Sequence, residues 1–149
     1  VELKLQSGVA PGWLAFGSVK WSDWSVLESL DVVAITGTPI SKDLYFWKDG
    51  WTVTGGVGHA FNDRVSGLVA LTWDRGVGTG YDLSSDTWTL SAGGSVKDSI
   101  GGELRGGVGV SYLTSAAEDK YFSSTGADQN QAVDDGWAFA FNVGYAIKW

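Results

Sequence analysis

The sequence has no cysteine and no methionine, and its 149 residues include one histidine and two prolines. Without cysteine there is no disulfide framework, no thiolate catalyst and no Cys-ligated zinc, and the redox compartment stays open on that ground. A single histidine, His59, leaves room for one Ser/His/Asp arrangement at most. Charge is scarce as well, at 18% of residues against the usual ~25%. The ten Lys and Arg are outnumbered by seventeen Asp and Glu, giving a net charge of −7. That balance argues against nucleic acid as a partner, which wants a basic face. No apolar run approaches the roughly 18 residues of a membrane helix. The chain opens on Val1 without a charged-then-apolar leader, so any signal peptide is expected to be gone, and the chain reads equally as a fragment. Glycine and the aromatics are plentiful instead: 22 Gly, and 13% aromatic residues including nine Trp. That is too aromatic for a disordered chain, and the length suits a single domain.

Alternation is the dominant pattern, and it signals strands with two unlike faces. Leu3, Leu5 and Val9 share one face of the opening segment, and Glu2, Lys4 and Gln6 the other. The same division recurs from Trp13 to Ser22, Trp51 to Phe61, Arg64 to Trp73, Thr87 to Lys97, Ile100 to Tyr112 and Trp137 to Trp149. The last is the cleanest: Trp137, Phe139, Phe141, Val143, Tyr145, Ile147 and Trp149 against Ala138, Ala140, Asn142, Gly144, Ala146 and Lys148. Seven strands are expected.

A soluble sandwich or lipocalin-like barrel would turn the apolar face inward and put its largest rings in the middle, where burial stabilises most. Here the rings gather at the strand ends. Trp21, Trp51, Trp73, Trp88, Tyr112 and Trp137 fall at one end, and Trp13, Phe61, Tyr145 and Trp149 at the other; the middles are Ala, Val, Leu and Gly. Two aromatic girdles around a small-residue band are the mark of a lipid-facing barrel wall. The ten residues from Trp51 to Phe61 span roughly 23 Å at ~3.3 Å per residue and ~45° tilt, close to the ~25 Å apolar band of such barrels.

The connections agree with this reading. Ala10-Pro11-Gly12, Asn62-Asp63 and Asp98-Ser99 are tight turns, while the links at about 25–46, 76–86 and 114–136 are long. Short turns on one rim and long extracellular loops on the other are the outer-membrane arrangement. The alternating Tyr145, Ile147, Trp149 ending resembles the C-terminal signal of outer-membrane barrels. An odd strand count poses a problem, because the first and last of seven antiparallel strands would meet in parallel, and closed single-chain bacterial barrels use even numbers. Leu27 to Thr36 is an optional eighth span. Its alternation is poor, and spanning there would spoil the long/short division, so it is expected to project outside the membrane. The chain then reads as half of a larger barrel.

Trp21-Ser22-Asp23-Trp24-Ser25 followed by Leu27-Glu28-Ser29-Leu30, and Trp47-Lys48-Asp49-Gly50-Trp51 followed by Asn62-Asp63, resemble motifs of the outer-membrane long-chain fatty-acid transporter family, the FadL-like proteins that include aromatic-hydrocarbon importers. Ser85-Asp86-Thr87-Trp88-Thr89-Leu90 falls in the same order, and the resemblance covers essentially the whole chain. It implies a fourteen-stranded barrel, plugged by an N-terminal hatch, that passes hydrophobic molecules across the outer membrane of a Gram-negative bacterium. This chain matches the C-terminal seven strands. The implied partners are the bilayer with its outer-leaflet lipid, a hydrophobic ligand and the N-terminal half of the barrel. The hatch and principal ligand pocket lie in that other half, so no ligand-binding residue carries over.

Catalysis is not expected, and no cofactor or metal is implied. His59 falls on the apolar face near the short-turn rim, and Gly106-Gly107-Val108-Gly109 lies inside a strand where a phosphate-cradling turn has no place. Glu2, Lys4, Lys20, Arg64, Lys97, Glu103, Arg105 and Lys148 share the polar face and are expected to line the lumen, pairing with one another or anchoring a plug. Glu118, Asp119, Asp128, Asp134 and Asp135 lack the spacing of a calcium loop and are expected to be solvated. A second functional class remains beside transport: a small independent barrel of eight strands, its interior filled by side chains, with a structural or surface-interaction role.

Overall fold

The computed structural model describes residues 1–122 and 127–147, with residues 81, 119–122 and 127–129 described in backbone only. Seven strands form one antiparallel sheet, in spatial order β1 (Glu2–Ala10), β2 (Trp13–Ser22), β5 (Gly50–Ala60), β6 (Val65–Asp74), β7 (Thr87–Lys97), β8 (Gly102–Leu113) and β11 (Gly136–Ile147). Two further pairs stand apart as separate sheets: β3 (Ser29–Val33) with β4 (Pro39–Leu44), and β9 (Ala116–Phe122) with β10 (Ala127–Val133). The optional eighth wall strand is therefore not formed. Part of Leu27 to Thr36 becomes β3, which among the described residues pairs with β4 and no other strand, as its broken alternation favours.

Register turns the alternation of single strands into rows. One row runs through direct partners across the whole sheet: Leu3, Val19, Val53, Trp73, Trp88, Tyr112 and Trp137. A slip of one residue in any strand would put its apolar side chains among polar ones, so the pattern fixes the pairing. The apolar face is the convex, exposed one. Leu90 is 54% exposed, Val108 60% and Phe141 86%, while Thr89 and Ser91 on the opposite face are half-buried. Ala70 is the one fully buried hydrophobic residue among those described. A water-soluble sheet would show the reverse, since burying apolar surface is what drives its folding.

The short connections are built by turn chemistry. Gly12 sits at φ +76° between β1 and β2, where a Cβ would lie 3.0 Å from the Ala60 carbonyl oxygen. Asn62 Oδ1 accepts the backbone N–H groups of Arg64 and Val65, both at 2.9 Å. Asp98 Oδ1 does the same for Ile100 at 2.9 Å and Gly102 at 2.7 Å. All three turns lie at one end of the sheet, and both separate strand pairs lie at the other.

Candidate functional site

The concave face holds a trough of about 850 Å³ in its short-turn half. Its floor is glycine: Gly58 of β5, Gly93 of β7, and Gly107 and Gly109 of β8. Without side chains there, the sheet leaves room between flanking walls of Leu14 and Phe16 on one side and Ala140 and Asn142 on the other, with Leu68 between them. Packing explains part of this choice. A Cβ on Gly56 would lie 2.5 Å from Phe16 Cζ and 2.7 Å from the Val69 carbonyl oxygen, so the Phe16 ring lies against bare backbone. The hydroxyls of this face bond among themselves: Ser66 with Ser95 at 2.9 Å, Thr89 with Ser111 at 2.8 Å, and Thr54 with Thr72 at 2.9 Å.

The charged residues assigned to the polar face take up ordered positions. Glu2 and Lys20 are direct partners on β1 and β2, and Lys4 Nζ lies 3.2 Å from Glu2 Oε1. On β8, Arg105 Nη2 donates to Glu103 Oε2 at 2.8 Å, with Lys97 directly across from Glu103 on β7. Glu103 and Arg105 line the trough. Arg64 sits in the turn before β6, and its carbonyl oxygen accepts the Lys97 N–H at 2.8 Å. Lys148 and Trp149 lie outside the described residues.

At the long-link end the aromatics are tied by their polar edges to acidic loop residues. Trp21 Nε1 donates to Asp49 Oδ2 at 3.4 Å, Trp73 Nε1 to Asp86 Oδ2 at 3.0 Å, and Tyr112 Oη to Asp135 Oδ2 at 3.5 Å. Trp21 faces Trp51, Trp73 faces Trp88, and the Tyr112 ring lies 4.9 Å from Trp137. This is the usual duty of an amphipathic ring, with an apolar body and a polar tip. The motif residues converge here. The Trp24 ring stands edge-on to Trp47 at 5.5 Å, and Tyr45 to Trp47 at 5.3 Å. Asp23 accepts the Ser25 hydroxyl at 2.8 Å, and the Lys48 N–H donates to the Val77 carbonyl at 2.8 Å. Trp47 Nε1 and Asp49 Oδ1 are buried without a partner among the described residues.

The opposite end has its own cluster. His59 lies between Trp13 and Phe61, at 4.3 Å and 4.7 Å between ring centres, with Nδ1 3.0 Å from the Gly12 carbonyl oxygen. Tyr145 donates its hydroxyl to Asp98 Oδ2 at 2.6 Å. That bond first, the Gly102 N–H next and the Ile100 N–H least hold the Asp98 carboxyl below its ordinary value, with desolvation opposing them.

Several contacts were not legible in the sequence. The 76–86 link contains a single 3-10 turn, Gly80–Asp82, and is packed down. Buried Thr79 donates to the Tyr45 carbonyl at 2.5 Å, and Gly80 N–H donates to Glu118 Oε2 at 2.7 Å. Glu118 thus takes a structural bond where a solvated side chain was expected. Phe16 and Leu68 on the concave face were also missed, although a large apolar residue out of phase with its strand was the available signal.

No protein-family model matches the sequence, and a search of curated proteins finds no match. Among solved structures, the fold is similar to the crystal structure of a Pseudomonas aeruginosa FadL homologue, with a TM-score of 0.74 and 16% sequence identity. The match covers 95% of this chain and 34% of that one. The chain spans about a third of that protein's length, and at this identity the likeness is one of fold.

Proposed function

We propose that this chain is one wall of an outer-membrane β-barrel of a Gram-negative bacterium, and that the barrel passes hydrophobic small molecules, long-chain fatty acids or similar hydrocarbons, without chemical change. The observation that carries the reading is the inverted sheet: an exposed apolar convex face between two aromatic belts, backed by a glycine-floored trough. Backbone groups in hydrocarbon must be satisfied within the wall, which an antiparallel sheet does everywhere except at its edges. The girdle aromatics sit at the two bilayer interfaces, and the long links face outward toward outer-leaflet lipid. β1 and β11 then pair with strands supplied by the N-terminal half of the barrel.

Transport on this reading needs no catalytic group. A hydrophobe leaves the outer surface, passes the aromatic rim and moves along the glycine-floored trough of the concave face. The alternative of an independent eight-stranded barrel has less support, since the wall sheet holds seven strands among the described residues. The test is uptake of radiolabelled naphthalene and of radiolabelled laurate by cells with and without the gene, at matched outer-membrane integrity. Faster uptake of either compound by the gene-bearing cells is expected. Equal rates for both would remove the transport reading.

A further inference from the structure

We infer, building on the transport reading above, that the trough favours uncharged hydrophobes and discriminates against their carboxylates. Three independent features of the wall act in that direction.

The first is the lining. Among the described residues, the charged side chains in it are Glu103 and Arg105, and they neutralise each other across 2.8 Å. A carboxylate entering the trough has to displace Glu103 from the guanidinium or share it, and charge-assisted pairs of this kind are the strong ones. Lys97 is directly across from Glu103 on β7, outside the lining.

The second is the hydroxyl set. Ser66 and Ser95 bond each other, as do Thr89 and Ser111, and Ser91 donates to the Ala70 carbonyl at 3.4 Å. An anion shedding its water would find one hydroxyl proton of each pair, and that of Ser91, already engaged, and unpaired polar groups are costly in such a place. A ring or alkyl chain meets no such penalty against Leu14, Phe16, Leu68 and the glycine floor.

The third is the approach. The segments 23–49, 74–86, 114–122 and 127–135, all at the long-link end, hold thirteen of the seventeen carboxylates but four of the ten Lys and Arg. A rim of one sign lowers the local concentration of ions of the same sign. Anionic ligands are thinned out before they reach the trough, and neutral ones are not.

A matched pair isolates charge from shape: methyl 2-naphthoate and 2-naphthoate. Equilibrium binding is measured on the protein in detergent micelles at pH 7, with each ligand corrected for its partition into protein-free micelles. The ester is expected to bind at least about tenfold more tightly than the acid, the scale of one hydrogen bond to a charged group. Glu103→Gln leaves Arg105 uncompensated and is expected to bring the acid-to-ester ratio to within about threefold, again on that scale. Ser91→Lys, which adds a cation to the same face, is expected to narrow the ratio likewise and serves should the first variant fail to fold. Equal binding of acid and ester by the unaltered protein would overturn the inference while leaving transport standing. A ratio unmoved by both substitutions would also overturn it. Binding of neither ligand would take down the transport reading and this inference together.

Discussion

The indole nitrogen of Trp73 donates to Oδ2 of Asp86 at 3.0 Å, and that one aspartate fastens three parts of the chain. Its Oδ1 accepts the Gly76 N–H at 3.1 Å, and its carbonyl oxygen accepts the N–H and hydroxyl of Thr114 at 2.9 and 3.2 Å. The end of β6, the 76–86 link and the segment after β8 are thereby joined. Asp86→Ala strands the Trp73 and Gly76 donors, and is expected to cost about 1–3 kcal/mol. Trp73→Phe removes one bond and part of a ring, at a smaller cost if the wall accommodates it. Reversible urea unfolding in phospholipid vesicles reads both, and an Asp86→Ala barrel as stable as the parent would refute the fastening role.

Asp98 makes the corresponding link at the opposite rim. Its folded value lies below the ordinary one, so the sign follows directly. The turn is stabilised above the ordinary carboxyl value, about 3.9, and that contribution is lost as pH falls through the lower folded value. The Ile100 and Gly102 amide resonances are expected to titrate with a midpoint below that of a free aspartate. Tyr145→Phe should move the midpoint upward, because the Tyr145 hydroxyl is the largest cause of the shift. An unmoved midpoint would contradict the assigned cause.

Adjacent glycines on β5 separate the two faces. A Cβ on Gly56 would press on Phe16, the Val69 carbonyl and Ala70, whereas one on Gly55 meets nothing within 4 Å. Gly56→Ala is expected to destabilise by about 1–3 kcal/mol, the cost of overpacking. Gly55→Ala should stay within about 0.5 kcal/mol of the parent. Side-by-side unfolding midpoints decide the matter, and a Gly56→Ala as stable as the parent would show that the backbone there is not tightly packed.

Leu90 distinguishes water from lipid outside the convex face. It is 54% exposed, so Leu90→Arg would be nearly harmless if water covered it. At the midplane of a bilayer the same change costs about 2–4 kcal/mol. Vesicle unfolding of this variant beside Ser91→Ala on the concave face measures the difference, and a neutral Leu90→Arg would speak against a membrane wall.

How far the sequence carried depended on whether a feature was local. Trp137 to Trp149 alternates without a break, so the strand and its faces follow from the period of two alone. Ala116–Phe122 and Ala127–Val133 pair as β9 and β10, yet Ala-Ala-Glu-Asp-Lys-Tyr-Phe carries no alternation from which a strand could be read. The tie between Asp98 and Tyr145 spans 47 residues, and only register brings their strands together.

The two free edges of the sheet also decide what can complete it. Every neighbouring pair is antiparallel, so β1 and β11 point the same way. Two copies related by a twofold axis along the barrel would therefore meet at two parallel seams, a pairing that is slightly weaker per residue. An insert of an odd number of strands, beginning and ending opposite to β1, gives two antiparallel seams instead. The wall thus sets the strand direction of any antiparallel completion: a strand pairing with β11 in that way runs against it, and so does one that meets β1.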